Sequence, residues 1–168
     1  NNPGNEALYL STSIDNTLPI PNNSPSFLNP PIALFCVNQT ASISLGASDI
    51  DGDSLAYSLI DARENFNDPV EYSAPFSGLN PISSSTPVTI NPTTGQISFT
   101  PNSSQVAVFA VRVEEYRNGI KIGEISRDLQ VRVQPCASNT TPVIPAISNS
   151  IAYVGQQLCI PIVATDAD

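Results

Sequence analysis

A short internal repeat is the feature that most constrains the fold of this chain. Residues 37–51, VNQTASISLGASDID, align without gaps with residues 154–168, VGQQLCIPIVATDAD, at an offset of 117 positions. Repeats at a fixed period indicate stacked modules. An offset of this size corresponds to one small domain. We therefore expect one complete domain flanked by parts of two neighbours.

The boundaries of these parts follow from two linker-like stretches. Residues 18–31 are rich in proline, and residues 137–145 read ASNTTPVIP; both compositions are typical of linkers. Residues 7–14 alternate apolar and polar side chains, as a strand does. The predicted organisation is a last strand and linker of a preceding domain in residues 1–24, a complete domain in 25–136, and a linker with the first strands of a truncated next repeat in 137–168.

The composition favours strands over helices. The chain has 16 proline and 8 glycine residues, no methionine, histidine or tryptophan, and many Ser, Thr and Asn clusters, which suits short strands joined by turns. The predicted strands lie near residues 39–48, 55–60, 69–73, 87–91, 96–100, 105–117 and 120–134. The predicted fold is all-β: an immunoglobulin-like or cadherin-like antiparallel β-sandwich of about seven strands, in a tandem array.

The last two strands are predicted to form a hairpin around Asn118-Gly119. Phe109, Val111 and Val113 should face the core, and the apolar positions of the second strand should face it too. A two-residue turn would pair odd with even positions and separate the two apolar sets. We therefore expect a three-residue loop, residues 117–119, with Gly119 in the left-handed conformation.

The charge of the chain excludes several functions. A formal net charge of −9 disfavours nucleic acid and anionic membranes and favours cations. No stretch approaches about 18 apolar residues, so no membrane insertion is expected. Without histidine, zinc binding and histidine-based catalysis are disfavoured, and the chain is predicted not to be an enzyme.

Three alternating acidic residues form a candidate calcium site. Asp49, Asp51 and Asp53 surround Gly52, and carboxylates converging at a turn are ligands that calcium prefers. At about 5 Å each uncompensated pair would cost roughly 1–3 kcal/mol, which a divalent ion would reverse. The alternative is a solvated acidic turn. An EF-hand is excluded because Ile60 stands where the loop needs its final glutamate.

Other oxygen-bearing residues are expected at the same pole of a sandwich. These are Asn22 and Asn23 of the incoming linker and Glu114, with its neighbour Glu115, near the last hairpin. Alternatively, Glu114 and Glu115 belong to a solvated strand end or pair with arginines. The repeat places Asp166 and Asp168 in an equivalent second site.

Three segments resemble a known family. They are DIDGDSLAYSL (residues 49–59), NPTTGQISFTP (91–101) and VEEYRNGIKIGEISRDLQVRVQPC (113–136). They resemble repeats of very large Bacteroidetes surface proteins, similar to type IX secretion cargo with gliding-motility-associated C-terminal domains. The resemblance implies export to the extracellular bacterial surface. VATDAD (163–168) and the linker at residues 22–27 also resemble cadherin calcium motifs.

Cys36 and Cys136 are predicted to form a disulfide. They lie where the first and last strands of a sandwich come together, and an export destination supplies the oxidising compartment. Cys159 would pair, if at all, with a residue beyond the sequence considered. The alternative is three buried reduced thiols.

Two functions are therefore kept open. The first is a non-enzymatic extracellular repeat of a bacterial surface filament or adhesin with calcium-stiffened domain junctions. Its partners would be neighbouring repeats, other copies in a filament, or surface glycans. The second is a carbohydrate-binding or spacer module of a secreted multi-domain enzyme.

Overall fold

The computed structural model describes residues 9–15, 17, 21–137, 142–147 and 149–166. The chain divides into two compact units, Asn1–Pro135 and Cys136–Asp168. The described residues of the first unit form strands and no helix. The strands are β1 Thr12–Ile14, β2 Ser26–Phe27, β3 Ile32–Cys36, β4 Ala41–Ile43, β5 Ala47–Ser48, β6 Ser54–Ile60, β7 Thr89–Ile90, β8 Ile97–Phe99, β9 Gln105–Arg117 and β10 Ile120–Gln134.

The strands form two main sheets. The larger has the order β1-β10-β9-β6, with β3 also paired to β10; the second has the order β4-β8-β7, and β2 pairs with β5. All pairings are antiparallel except that of β3 with β10. Strands β6, β9 and β10 correspond to C, F and G of an immunoglobulin domain, and β4, β8 and β7 to B, E and D. The predicted all-β, immunoglobulin-like sandwich is confirmed.

The core lies between the two sheets because alternate residues of each strand point to the same face. Phe99 of β8 is buried at its centre, where its ring contacts Phe35 edge-on at 5.6 Å and Phe109 at 5.3 Å between centroids. Val111 and Val113 continue the buried face of β9. This is the face that the sequence assigns to the core.

The hairpin between β9 and β10 corrects one prediction. Arg117 pairs directly with Ile120, so the loop has two residues, and Asn118 and Gly119 adopt φ values of 53° and 79°. The three-residue loop is therefore wrong, whereas the predicted left-handed conformation of Gly119 is confirmed. The irregularity that matches the apolar faces lies in β10 instead, where the register shifts between Lys121 and Gly123.

The remaining strand predictions hold to different degrees. The two long strands begin and end as predicted, and β6, β7 and β8 lie within or beside their predicted ranges. The strand at 39–48 is divided into β4 and β5 by a turn in which Gly46 has φ of 60°. Residues 69–73 form no strand, and β3 was not predicted.

Two short strands cover the free edge of β10. Thr12–Ile14 pairs antiparallel with residues 123–125, and β3 pairs in parallel with residues 130–134. The sequence assigns residues 12–14 to a preceding domain, whereas the structure places them in this sheet. Because β1 and β3 occupy the edge of β10, a strand of another molecule cannot pair with β10 there.

The disulfide between Cys36 and Cys136 is confirmed. Cys36 ends β3, and Cys136 follows the last residue of β10 by two positions. This bond excludes the alternative of three reduced thiols. Cys159 is an exposed free thiol, and a partner for it outside this sequence stays a prediction.

The second unit has little regular structure in its described part. A single bridge joins Val143 and Thr165, with backbone hydrogen bonds of 2.8 and 3.0 Å. Its large apolar side chains, including Ile151 and Val154, are exposed. Across all described residues, no helix is long and apolar enough to span a membrane.

Candidate metal site at one pole of the sandwich

Three carboxylates converge at the end of the large sheet. Asp49 and Asp53 lie on the loop between β5 and β6, and Glu115 lies near the end of β9. Each offers one oxygen, and the three oxygens lie within 4.8 Å of one another. Calcium binds oxygen at about 2.3–2.6 Å, so two of its ligands are at most about 5 Å apart. The spacing therefore fits a single calcium ion.

The loop 49–53 is folded by its own first carboxylate. Asp49 Oδ1 accepts hydrogen bonds from the backbone N–H groups of Asp51 (2.9 Å) and Asp53 (3.1 Å). Gly52 has φ of 81°, a left-handed conformation that glycine adopts without strain. Asp49 Oδ2 is buried and accepts no hydrogen bond from any described residue. One oxygen of Asp49 thus builds the turn and the other is available to a ligand.

Glu115 is the most deeply buried member of the cluster. Its exposed fraction is 0%. Its Oε1 accepts a hydrogen bond from Asn22 Nδ2 at 2.7 Å, while Oε2 has no donor within the described part of the chain. Gly123 faces it across the sheet, where a Cβ atom would stand 2.7 Å from Oε2. The absence of a side chain at Gly123 therefore makes room for this carboxylate.

Arg117 supplies the positive charge of the cluster. Its guanidinium donates to both oxygens of Asp53, at 2.7 and 2.5 Å, and to Asn22 Oδ1 at 2.6 Å. It also lies 3.8 Å from Asp51. The hydrogen bonds from Arg117 hold the pKa of Asp53 below its usual value. One guanidinium facing Asp49, Asp53 and Glu115 leaves a formal charge of −2.

The pKa of Glu115 is raised above its usual value. Burial is the largest cause, and the hydrogen bond from Asn22 opposes it. The charge of Asp49, a hydrogen bond with Asp53 and the charge of Asp53 add to the increase. A divalent cation would reverse the sign of this local effect, because it favours the ionised form of each ligand. The electrostatics of the pole therefore favour a cation.

The predicted ligands divide into two groups. The structure brings Asp49, Asp53 and Asn22 together. Asp51 lies beside them but its carboxylate accepts hydrogen bonds from Asn23, at 2.6 Å from N–H and 3.1 Å from Nδ2. These bonds fasten the incoming segment to the loop.

Glu114 is not part of the cluster. It lies on the opposite face of β9, where Lys121 Nζ donates to it at 2.6 Å and also to Glu124. The sequence alone could have shown that Glu115, and not Glu114, belongs to the cluster. Val113 and residue 115 have the same parity along the strand, so Glu115 shares the inward face and Glu114 does not.

The equivalent second site expected at the repeated acidic residues, Asp166 and Asp168, stays a prediction. Asp166 belongs to the second unit, and Asp168 lies outside the described residues. The cluster is thus built from the first unit alone.

No known protein family and no curated protein matches the chain. Among solved structures, it is similar to a candidate α-galactosidase from Bacteroides fragilis, with 14% identity and a TM-score of 0.41 over 70% of this chain. It is also similar to a chimeric titin Z1Z2 carrying a peptide from decorin, with 12% identity and a TM-score of 0.31 over 88% of this chain. The chain spans 19% and 66% of those two structures.

Proposed function

We propose that this chain is a non-enzymatic extracellular repeat of a bacterial surface filament or adhesin, and that calcium bound at its acidic pole stiffens the segment that joins β1 to β2. The observation that carries the proposal is the pair of buried carboxylate oxygens, Asp49 Oδ2 and Glu115 Oε2, that have no hydrogen-bond donor among the described residues. Buried charged oxygens without partners are costly. A bound cation would compensate them.

The position of the cluster supports a role in fixing the segment between β1 and β2. Asn22 and Asn23, which lie between β1 and β2, bond to Glu115 and Asp51. The carbonyl oxygen of Pro21 also accepts a hydrogen bond from Arg117 at 3.5 Å. An ion held by Asp49, Asp53 and Glu115 would therefore restrain the segment that connects β1 to the rest of the sandwich.

The disulfide supports an extracellular location. Disulfides persist in oxidising environments and are rare in the cytosol. Antibody labelling of intact cells tests this part of the proposal. Labelling without permeabilisation is expected, and labelling that requires permeabilisation would contradict a surface location.

Thermal unfolding tests calcium binding. Substitution of Glu115 is the test, and the same substitution at its neighbour Glu114 is the control. At a hundredfold excess over the dissociation constant, calcium should stabilise the fold by about 2.7 kcal/mol, which corresponds to roughly 10 °C in Tm. Glu115→Gln should abolish most of this gain because it removes a charged ligand. Glu114→Gln should retain it because Glu114 faces the other side of the sheet.

Two results would contradict the proposal. One is an identical Tm in chelator and in millimolar calcium. The other is a calcium response that survives Glu115→Gln but disappears in Glu114→Gln. Magnesium serves as a comparison, since its smaller ion demands a tighter octahedral site and should stabilise less.

A further inference from the structure

A second polar site lies on the outward face of the large sheet, away from the core. A cleft of about 560 Å³ is formed by the outer faces of β9 and β10, by Tyr9 and Ser11, and by the long loop after β6. Its volume lies within the range of about 300–1,000 Å³ that is typical of small-molecule sites. The size of the cleft therefore suits a small ligand.

Asp128 is the buried acceptor of this cleft. It is 6% exposed, and the backbone N–H of Tyr9 donates to its carboxylate. Its Oδ2 atom has no donor in the described parts of the chain. Burial raises the pKa of Asp128 to about 6. A buried acceptor of this kind is stabilised by a ligand that donates a hydrogen bond.

Arg112 is the matching donor. Its Nε is buried and reaches no acceptor belonging to a described residue. Arg112 pairs with Ser126 in the register, and Asp128 follows Ser126 by two positions on the same face. Such diagonal neighbours are about 7–8 Å apart between Cα atoms. Adjacent hydroxyl groups of one ligand could donate to Asp128 and accept from Arg112.

Two exposed apolar side chains line the cleft. Phe66 and Leu79 line it and remain 69% and 66% exposed. The backbone oxygen of Phe66 accepts a hydrogen bond from Arg63 at 2.6 Å, which fixes the loop that carries the ring. An exposed aromatic ring beside buried polar groups suits a ligand that has one apolar face and a polar edge.

The charges of the cleft nearly cancel. Its lining includes three carboxylates, Asp61, Glu124 and Asp128, and two guanidinium groups, Arg63 and Arg112. The formal charge is therefore −1 when all are ionised. This near balance gives little attraction for either a polyanion or a polycation, so the lining favours an uncharged ligand.

We propose that this cleft binds a neutral saccharide, whose neighbouring hydroxyl groups bond to Asp128 and Arg112 while the C–H face of the sugar ring lies against Phe66. The site is separate from the acidic pole. It requires no metal.

Binding to an immobilised panel of oligosaccharides, followed by titration calorimetry of those that bind, tests the proposal. The panel contains neutral glucans, mannans, xylans and galactans, with polygalacturonate and chitosan fragments as charged comparisons. All measurements are made in a chelator, so that failure of calcium binding does not affect them. At least one neutral oligosaccharide should bind.

Three variants locate the binding. Asp128→Asn and Phe66→Ala should each weaken it about tenfold, the effect of losing one charge-assisted hydrogen bond or one ring contact. Ile120→Ala, which removes an exposed apolar side chain outside the cleft, should bind as the parent does. Phe66 is exposed, so its loss should leave the fold intact and keep the test informative. Binding only to charged glycans, no binding at millimolar concentration, or unchanged binding in both cleft variants would overturn the proposal.

Discussion

Removal of the disulfide should cost a large part of the stability of the sandwich. The bond between Cys36 and Cys136 closes a loop of 100 residues (136 − 36). The chain-entropy model assigns about 4.7 kcal/mol to a loop of this length. Small domains have a total stability of about 5–15 kcal/mol. A variant without the bond should therefore fold but be marginal.

The structure indicates that this cost arises mainly in the unfolded state. Five register pairs join β3 to β10, and Val37 N–H donates to Gln134 O at 3.0 Å just beyond them. Cys36 is only half-buried and Cys136 is exposed, so truncation to alanine leaves no large cavity. We expect a loss of about 2–4.7 kcal/mol.

Urea unfolding monitored by circular dichroism measures this loss. The double variant Cys36→Ala/Cys136→Ala is compared with the parent, with the reduced parent, and with Cys159→Ala as a control for loss of a thiol. The reduced parent should match the double variant, and the denaturant dependence should rise because the unfolded chain expands. A loss below about 1 kcal/mol would refute the view that the bond acts by restricting the unfolded chain.

Three further predictions concern the core, one glycine and one buried carboxylate. Phe99→Ala should destabilise by about 3–5 kcal/mol in urea unfolding because the ring fills the centre of the core; a cost near that of a surface change would contradict this packing. Gly95→Ala should cost at least about 2 kcal/mol, since its φ is +69° and a Cβ would lie 2.6 Å from the Tyr57 ring. Gly119→Ala, with open space around it, should cost less in the same assay, and equal costs would refute the steric argument. Asp128→Asn should stabilise by about 1–3 kcal/mol at pH 8, because burial raises the pKa of Asp128 from 3.8 to about 6; this gain should disappear as the pH falls through 6 towards 4, where both chains are neutral at this position, and a gain independent of pH would contradict it.

The two long strands, β9 and β10, could be predicted from the sequence. β9 carries a continuous apolar run from Val106 to Val111 and alternates from Val111 onwards, while β10 alternates at Leu129, Val131 and Val133. The two-residue turn was missed because a bulge two residues later, between Lys121 and Gly123, restores the pairing of the apolar faces. Only tertiary contacts decide where such an extra residue lies.

Short and edge strands could not be predicted in the same way. β3 follows Pro30 and Pro31, and it places the apolar Ile32 and Leu34 in exposed positions, so its sequence lacks the usual alternation. Its partner is residues 130–134, about 100 positions away. Pairing over such a distance leaves no local signal.

The candidate site was partly predictable. Asp49 and Asp53 could be identified from the turn around Gly52, and the correct glutamate follows from the parity of β9. The role of Arg117 could not be found this way, because its contacts with Asp53 and Asn22 join three distant segments. The hydrogen bonds of Asp51 to Asn23 depend on the same approach of distant chain segments.

A crystal structure grown in calcium, with anomalous scattering recorded, tests the central claim most directly. The account predicts one anomalous peak bound by Asp49 Oδ2 and Glu115 Oε2 at about 2.3–2.6 Å, with Asp53 as a further ligand. It also predicts that the peak disappears in Glu115→Gln and persists in Glu114→Gln. An empty acidic pole in saturating calcium, with Arg117 alone facing the carboxylates, would contradict the claim.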